Sequence, residues 1–221
     1  MKIFVVVPVF NEEKHISPVL DDISKTNFPI VLVDDGSTDK TLVYAQKNKK
    51  NGLYILRHKI NLGKGAALKT GCDYAFSNGA DAVILMDSDG QHIAADIDKF
   101  IVKLKEGYEV VFGSRNLNLG APLDRFVGNK IASVIVNILF GIYVSDLICG
   151  FKAITKEAYK KIKWQSTGYG VETEMVIRVK KKDLKYCEVG VATIYYDNFK
   201  GVSILDAFGV LFKIISWKFK I

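Results

Sequence analysis

Two aspartates, Asp87 and Asp89, close an apolar run in the segment AVILMDSDGQH, residues 82–92. A strand sends alternate side chains to the same side, so the two carboxylates can converge on one point while Ser88 turns away. Carboxylates packed that closely repel and raise each other's pKa unless a cation lies between them. Hard oxygen donors at a strand mouth suit Mg2+ or Mn2+. A divalent ion held there is well placed to grip a diphosphate. Asp, Ser and Gly are also ordinary turn formers, so this segment alone leaves a plain turn open.

The elements that position these acids follow from hydrophobic patterning. Apolar strands are expected at Ile3–Val7, Ile30–Val33, Leu53–Leu56, Ala82–Met86 and Val110–Phe112. Helices are expected between them, over Glu12 to Lys25, from about Asp39, from Lys64 to Phe76, and over Ala95 to Leu104. This alternation predicts an α/β fold with a mainly parallel central sheet flanked by helices on both faces. Open α/β sheets bind ligands at the carboxyl edge. Three polar turns reach that edge: Pro8-Val9-Phe10-Asn11-Glu12, Asp34-Asp35-Gly36-Ser37-Thr38-Asp39 and Asp87-Ser88-Asp89.

Each turn also has a structural reading. Asn11 can cap a helix starting at Glu12, and Ser37 or Thr38 the next one, with Asp39 favouring its positive end. Asp34 and Asp35 have no Lys or Arg beside them in sequence, and Asp35 can accept hydrogen bonds from a base or ribose. Asn61-Leu62-Gly63-Lys64-Gly65-Ala66-Ala67 is not a dinucleotide fingerprint, because Leu68 stands where the third glycine belongs. Its small residues suit close helix packing, and Lys64 can meet a phosphate.

The second half is less regular. Arg115 follows the fifth strand, Arg125 precedes an apolar helix over Asn129–Phe140, and Glu172 and Glu174 open a helix reaching Val179. A late strand is expected within Tyr186–Ile194. The C-terminus from Ser203 is apolar and aromatic, but Asp206, Lys213, Lys218 and Lys220 interrupt it. It falls short of the roughly 20 uninterrupted apolar residues that span a bilayer. Trp, Phe and Lys together suit a helix lying in a membrane interface, with docking on the body or on a second subunit as the alternative.

Composition fits one domain of 221 residues, 49% hydrophobic and 25% charged. The segmentation expected is a single catalytic domain over residues 1–200 and an amphipathic helix over 201–221. The apolar N-terminal run is broken by Pro8 and meets Asn11-Glu12-Glu13, so it reads as a first strand and not a secretory signal. Cys72, Cys149 and Cys187 are odd in number and widely spaced, which favours a reduced, cytoplasmic compartment. The +7 net charge suits an anionic membrane surface, a phosphorylated substrate or nucleic acid, or simply a lysine-rich solvated surface. No recognition helix or aromatic-basic RNA motif is visible, so nucleic acid is not expected as a partner.

Together VVVPVFNEE, LVDDGSTD, NLGKGAA, LMDSDGQH and GSR, in that order, resemble the family 2 glycosyltransferases of the GT-A (Rossmann-like) fold. Within it the chain looks most like the dolichyl-phosphate mannose synthase branch and its polyprenyl-phosphate relatives. The resemblance implies Asp87, Asp89 and Gln91 as ligands of Mg2+ or Mn2+, and Asp87, Asp89 and Arg115 as the catalytic set. It implies donor or acceptor contacts from Pro8, Phe10, Glu12, Asp35, Lys64, Ser88, Arg125 and Lys200. Asp146 with Cys149-Gly150-Phe151 resembles the branch's Asp-x-x-Ser-Gly-Phe block, and Asn129-Lys130 with Asn137 lies in a similar helix.

Two features depart from the branch. Phe10 stands where Tyr is frequent. The Arg-x-x-Gly-x-Ser-Lys block near the end reads Asn198, Gly201, Ser203 and Ile204 here, without either cation. The implied reaction is inverting transfer of a sugar from a nucleotide diphosphate to dolichyl or polyprenyl phosphate, by a protein peripheral at the cytoplasmic face of the membrane. A glycan hydroxyl is the alternative acceptor. That chemistry would need a carboxylate base, for which Glu172 and Glu174 are the candidates. A haloacid-type phosphatase fits less well, since its aspartate pair usually ends the first strand.

Overall fold

The computed structural model describes residues 1–48, 51–115, 123–194, 214, 217 and 218, with residues 123–126 described by backbone alone. Lys200, the Arg125 side chain and nearly all of the expected C-terminal helix lie outside the described residues.

The chain runs β1 (Ile3–Val9), α1 (Ile16–Ser24), β2 (Ile30–Asp34), α2 (Thr41–Lys47), β3 (Leu53–Arg57), α3 (Lys64–Ser77) and β4 (Ala82–Leu85). It continues through α4 (Ile97–Lys105), β5 (Val110–Arg115), α5 (Leu123–Phe140), β6 (Lys152–Thr155), α6 (Lys156–Ile162), α7 (Val171–Lys181) and β7 (Tyr186–Val191). The strands form one sheet in the order β3-β2-β1-β4-β6-β5-β7. Every neighbouring pair is parallel except those that β6 makes with β4 and β5.

Strands buried on both faces need continuous apolar runs, and β1, β2 and β4 are buried along their whole length. One core layer packs α3, α5, α6 and α7 against one face; a second packs α1 and α4 against the other. Both helical layers position the carboxyl edge of the sheet.

Proline in a central strand normally breaks a ladder. Val6 O accepts from Met86 N at 3.1 Å, so the alternate residues Val6 and Pro8 face β4. The β1–β4 ladder ends at Val6↔Leu85. Pro8 therefore lacks its donor just where β4 has given way to the acidic turn.

Three expectations are corrected. The first helix starts at Ile16, because the residues before it form a turn in which Glu12 O accepts from both His15 N and Ile16 N. The fifth strand extends through Arg115. The insertion β6 and its helix α6 went unread, since a four-residue strand with a lysine in it carries little periodic signal.

Candidate active site

The first two turns are clasped to each other. Asn11 N donates to Ser37 Oγ at 3.0 Å, and Thr38 N donates to Asn11 Oδ1 at 2.9 Å. Glu12 N donates to Thr41 Oγ1 at 2.8 Å, and Glu13 N to Asp39 Oδ2 at 3.2 Å. The capping expectation is therefore corrected: Asn11, Ser37 and Thr38 bind the opposite loop, and neither α1 nor α2 has a side-chain cap at its N-cap residue. Asp39 does meet the start of α2, accepting from Thr41 N at 2.9 Å. Burial pushes its carboxyl up, and the Thr41 and Glu13 hydrogen bonds more than reverse that, leaving it below its ordinary value.

Asp34 and Asp35 acquire counter-charges through the sheet. The register pairs Asp34 with Arg57 on β3, and Arg57 Nε lies 3.2 Å from Asp34 Oδ2. Asp35 is 2% exposed. Its Oδ1 accepts from Leu62 N at 3.0 Å and meets His58 Nδ1 at 2.7 Å, while Oδ2 accepts from Gly63 N at 2.7 Å. Asp35 is expected to meet base or ribose; in the structure its carboxylate anchors the turn that delivers Lys64. Phe10, in contrast, is 41% exposed at the carboxyl edge, an available stacking surface. Glu12 is half-buried and meets His15 Nδ1 at 2.8 Å.

The acidic turn has a different character. Asp89 Oδ1 accepts from Gln91 N at 3.0 Å, and Ser88 is buried. Burial, then the charge of Asp87, pushes the Asp89 carboxyl up to about 6. Burial also acts upward on Asp87, but the Lys64 ammonium at 2.7 Å outweighs it and holds that carboxyl at about 2.

Gly150 explains the seat of Asp87. A Cβ on Gly150 would collide with both Asp87 carboxylate oxygens and with Cγ. The loop before β6 therefore needs glycine where β4 delivers its acid. Two crowded carboxylates, one with a raised pKa, and the amide oxygen of Gln91 make a hard oxygen donor set that fits Mg2+ or Mn2+. Among the described residues no group of three or more His, Cys, Asp or Glu is arranged to hold a metal, so Gln91 or a ligand must complete the set.

Lys64 does not face an open phosphate position. Its Nζ bridges Asp87 Oδ1 and Glu172 Oε1, each at 2.7 Å. The small residues beside it do serve close packing: a Cβ on Gly65 would collide with Ser166 O, and Gly65 N and Ala66 N both donate to Thr167 O. Glu174 supports that loop by accepting from Gln165 N at 2.8 Å and Ser166 N at 2.7 Å, and pairs with Arg178 at 2.6 Å.

Arg115 meets an acid of the protein. Its guanidinium makes a two-pronged pair with Asp146, Nε–Oδ2 2.7 Å and Nη2–Oδ1 3.0 Å. Burial pushes the Asp146 carboxyl up, but Arg115 holds it below its usual range. Asn129 Nδ2 adds a bond to Asp146 Oδ1 at 2.9 Å, so the helix α5 and the Asp146 turn lock together around Arg115.

Two residues near the acids carried no usable sequence signal. His92 is buried beside Phe151, at 5.1 Å between ring centroids. Burial lowers its pKa to about 4, and Nδ1 has no hydrogen-bond partner among the described residues. Lys152 is 2% exposed; it donates to Cys149 O, and burial pushes its pKa down. A lone His and a Lys within four strand residues both read as surface residues until the sheet order is known.

A mainly parallel sheet with an acid pair just beyond its fourth strand, beside two mutually clasped turns, has the arrangement of the GT-A fold. Residues 4–163 match the family model "Glycosyl transferase family 2", and the chain belongs to that family and is a glycosyltransferase. It is 33% identical to the UDP-N-acetylglucosamine–dolichyl-phosphate N-acetylglucosaminyltransferase of Methanococcus voltae, over 98% of this chain and 96% of that protein. It is 27% identical to the dolichol-phosphate mannosyltransferase of Pyrococcus furiosus, over 99% of this chain and 65% of that one. A mannosyltransferase from Pyrobaculum calidifontis, solved with GDP-Man and Mn2+, shares the fold with a TM-score of 0.67 at 17% identity, over 90% of this chain and 58% of that chain.

Proposed function

We propose that this glycosyltransferase moves a hexose from a nucleotide diphosphate to the phosphate of a polyprenol or dolichol, with inversion and with Mg2+ or Mn2+. The observation that carries the acceptor is the state of the two glutamates. Transfer to a sugar hydroxyl needs a carboxylate base within reach of the proton. Both Glu174 oxygens are taken by backbone amides and Arg178, and Glu172 is held by Lys64. A phosphate monoester needs no such base, since its second pKa is about 6 and it is already anionic near neutral pH. The names of the Methanococcus and Pyrococcus relatives support a lipid-phosphate acceptor.

In this reading Asp87, Asp89 and Gln91 hold the divalent ion, which supplies Lewis-acid neutralisation of charge on the leaving diphosphate. Phe10 and Pro8 border the base, on the clasped platform of turns one and two. Arg115, oriented by Asp146 and Asn129, lies at the carboxyl edge of β5 near the acceptor side. Ser88 is buried in the acidic turn and supports it from within. Arg125 and Lys200 remain proposed contacts for the acceptor phosphate.

No helix among the described residues is long and apolar enough to cross a membrane, and the proposed protein–membrane contact is peripheral. The test is a transfer assay with GDP-mannose, UDP-glucose and UDP-N-acetylglucosamine against dolichyl and undecaprenyl phosphate, with Mn2+ and Mg2+. Metal-dependent glycolipid from one donor is the expected result. Transfer to a glycan hydroxyl with no glycolipid from any donor overturns the acceptor assignment.

A further inference from the structure

The acidic turn already faces a cation belonging to the protein. Lys64 Nζ lies 2.7 Å from Asp87 Oδ1 and 2.7 Å from Glu172 Oε1. The backbone sets this position from both sides. Asp35 fixes the amides of Leu62 and Gly63 just before Lys64, and Thr167 O takes the amides of Gly65 and Ala66 just after it. With neighbours on both sides pinned, the lysine has one direction to extend, and α7 meets it there with Glu172.

We propose that Lys64 is a resident counter-cation that holds the Asp87 oxygen a divalent ion would use, and so couples metal binding to the arrival of the donor's diphosphate. This rests on the metal-dependent transferase reading above. Asp87 and Glu172 are set against the Lys64 ammonium, so the carboxylate that a divalent ion would use already carries a cation. A bare divalent ion entering that arrangement sits beside an ammonium and brings uncompensated positive charge. A nucleotide diphosphate entering with it restores the balance, and offers Lys64 a new anionic partner as it leaves Asp87.

Mn2+ binding, read by the loss of the free-ion paramagnetic resonance signal, tests this on the whole chain without sugar donor. GDP and UDP serve as the diphosphate probes. The unmodified protein is expected to bind Mn2+ weakly alone and about tenfold or more tightly with one nucleotide, the order of a unit-charge interaction near a protein surface. Lys64→Met and Lys64→Gln should each bind Mn2+ alone about tenfold more tightly than the unmodified protein and lose most of the nucleotide effect, while Lys64→Arg keeps it.

Equal Mn2+ affinity of the unmodified protein with and without nucleotide overturns the coupling, whatever the variants do, and leaves the metal site standing. Unchanged or weaker affinity in both Lys64→Met and Lys64→Gln, with melting curves matching the unmodified protein, overturns it as well. No Mn2+ binding by any form, with or without nucleotide, removes the metal-dependent reading and this inference together.

Discussion

The acids of the second turn and those of the fourth strand sit on the same edge of one sheet and are used in opposite ways. Asp34, Asp35 and Asp39 are met by backbone amides: Ser37 N on the first, Leu62 N and Gly63 N on the second, Thr41 N and Glu13 N on the third. Asp87 instead faces the Lys64 ammonium, and Asp89 accepts from the Gln91 amide while burial and the charge of Asp87 raise its pKa. Amide-saturated carboxylates hold loops in place. Carboxylates left to compensate each other's charge are the ones with something to offer a ligand.

The sharpest way to break this comparison is to remove an acid from each group. Asp89→Ala, and equally Asp87→Ala, should cut metal-dependent transfer by about 10²–10³-fold, the scale of losing one preorganised electrostatic group, with the fold intact by circular dichroism. Next in size is Gly150→Ala, whose Cβ lands on the Asp87 carboxylate. Overpacking of this kind costs about 1–3 kcal/mol, and transfer should fall with it because the displaced group is Asp87. Unchanged activity in Gly150→Ala would detach the β6 loop from the site.

Asp35→Ala should behave in the opposite sense. It leaves the part-buried amides of Leu62 and Gly63 without their acceptor, at a cost of about 1 kcal/mol each, read as a lower urea midpoint, while the folded fraction retains metal-dependent transfer. Loss of transfer without loss of stability would return Asp35 to the ligand-contacting group.

The smallest effect is a pH dependence. Arg115 holds the Asp146 carboxyl below its ordinary value, so its stabilising contribution is complete above the unfolded value of about 3.9. It is lost as pH falls through the lower native value. Asp146→Asn should flatten the acid limb of the stability profile measured by urea unfolding and leave the limb above neutrality unchanged.

The first half of the fold was legible because strands such as IFVVVPV and AVIL are apolar throughout, and a sheet buried on both faces demands that. The acidic turn stands out because two carboxylates follow directly on an apolar run. What escaped notice depends on long-range placement. Asp34 and Asp35 look uncompensated in sequence, yet the β2–β3 register brings Arg57 beside Asp34, and His58 reaches Asp35. Lys64 gives no local sign of its carboxylate partners, which lie just after β4 and on α7. The burial of Lys152 has no local sign, because nothing local marks a strand inserted antiparallel between two others.

That insertion also sets a sequence of events. β6 enters the sheet between β4 and β5 although it follows both in the chain, and Gly150 stands at its threshold against Asp87. During synthesis the clasp of the first two turns can close before residue 50 is far behind, since its contacts are near in sequence. The seat of Asp87 has to wait for a segment some sixty positions downstream (150 against 87). The clasp thus rests on contacts short in sequence, while the backing of Asp87 rests on long-range pairing, the kind of contact that slows folding.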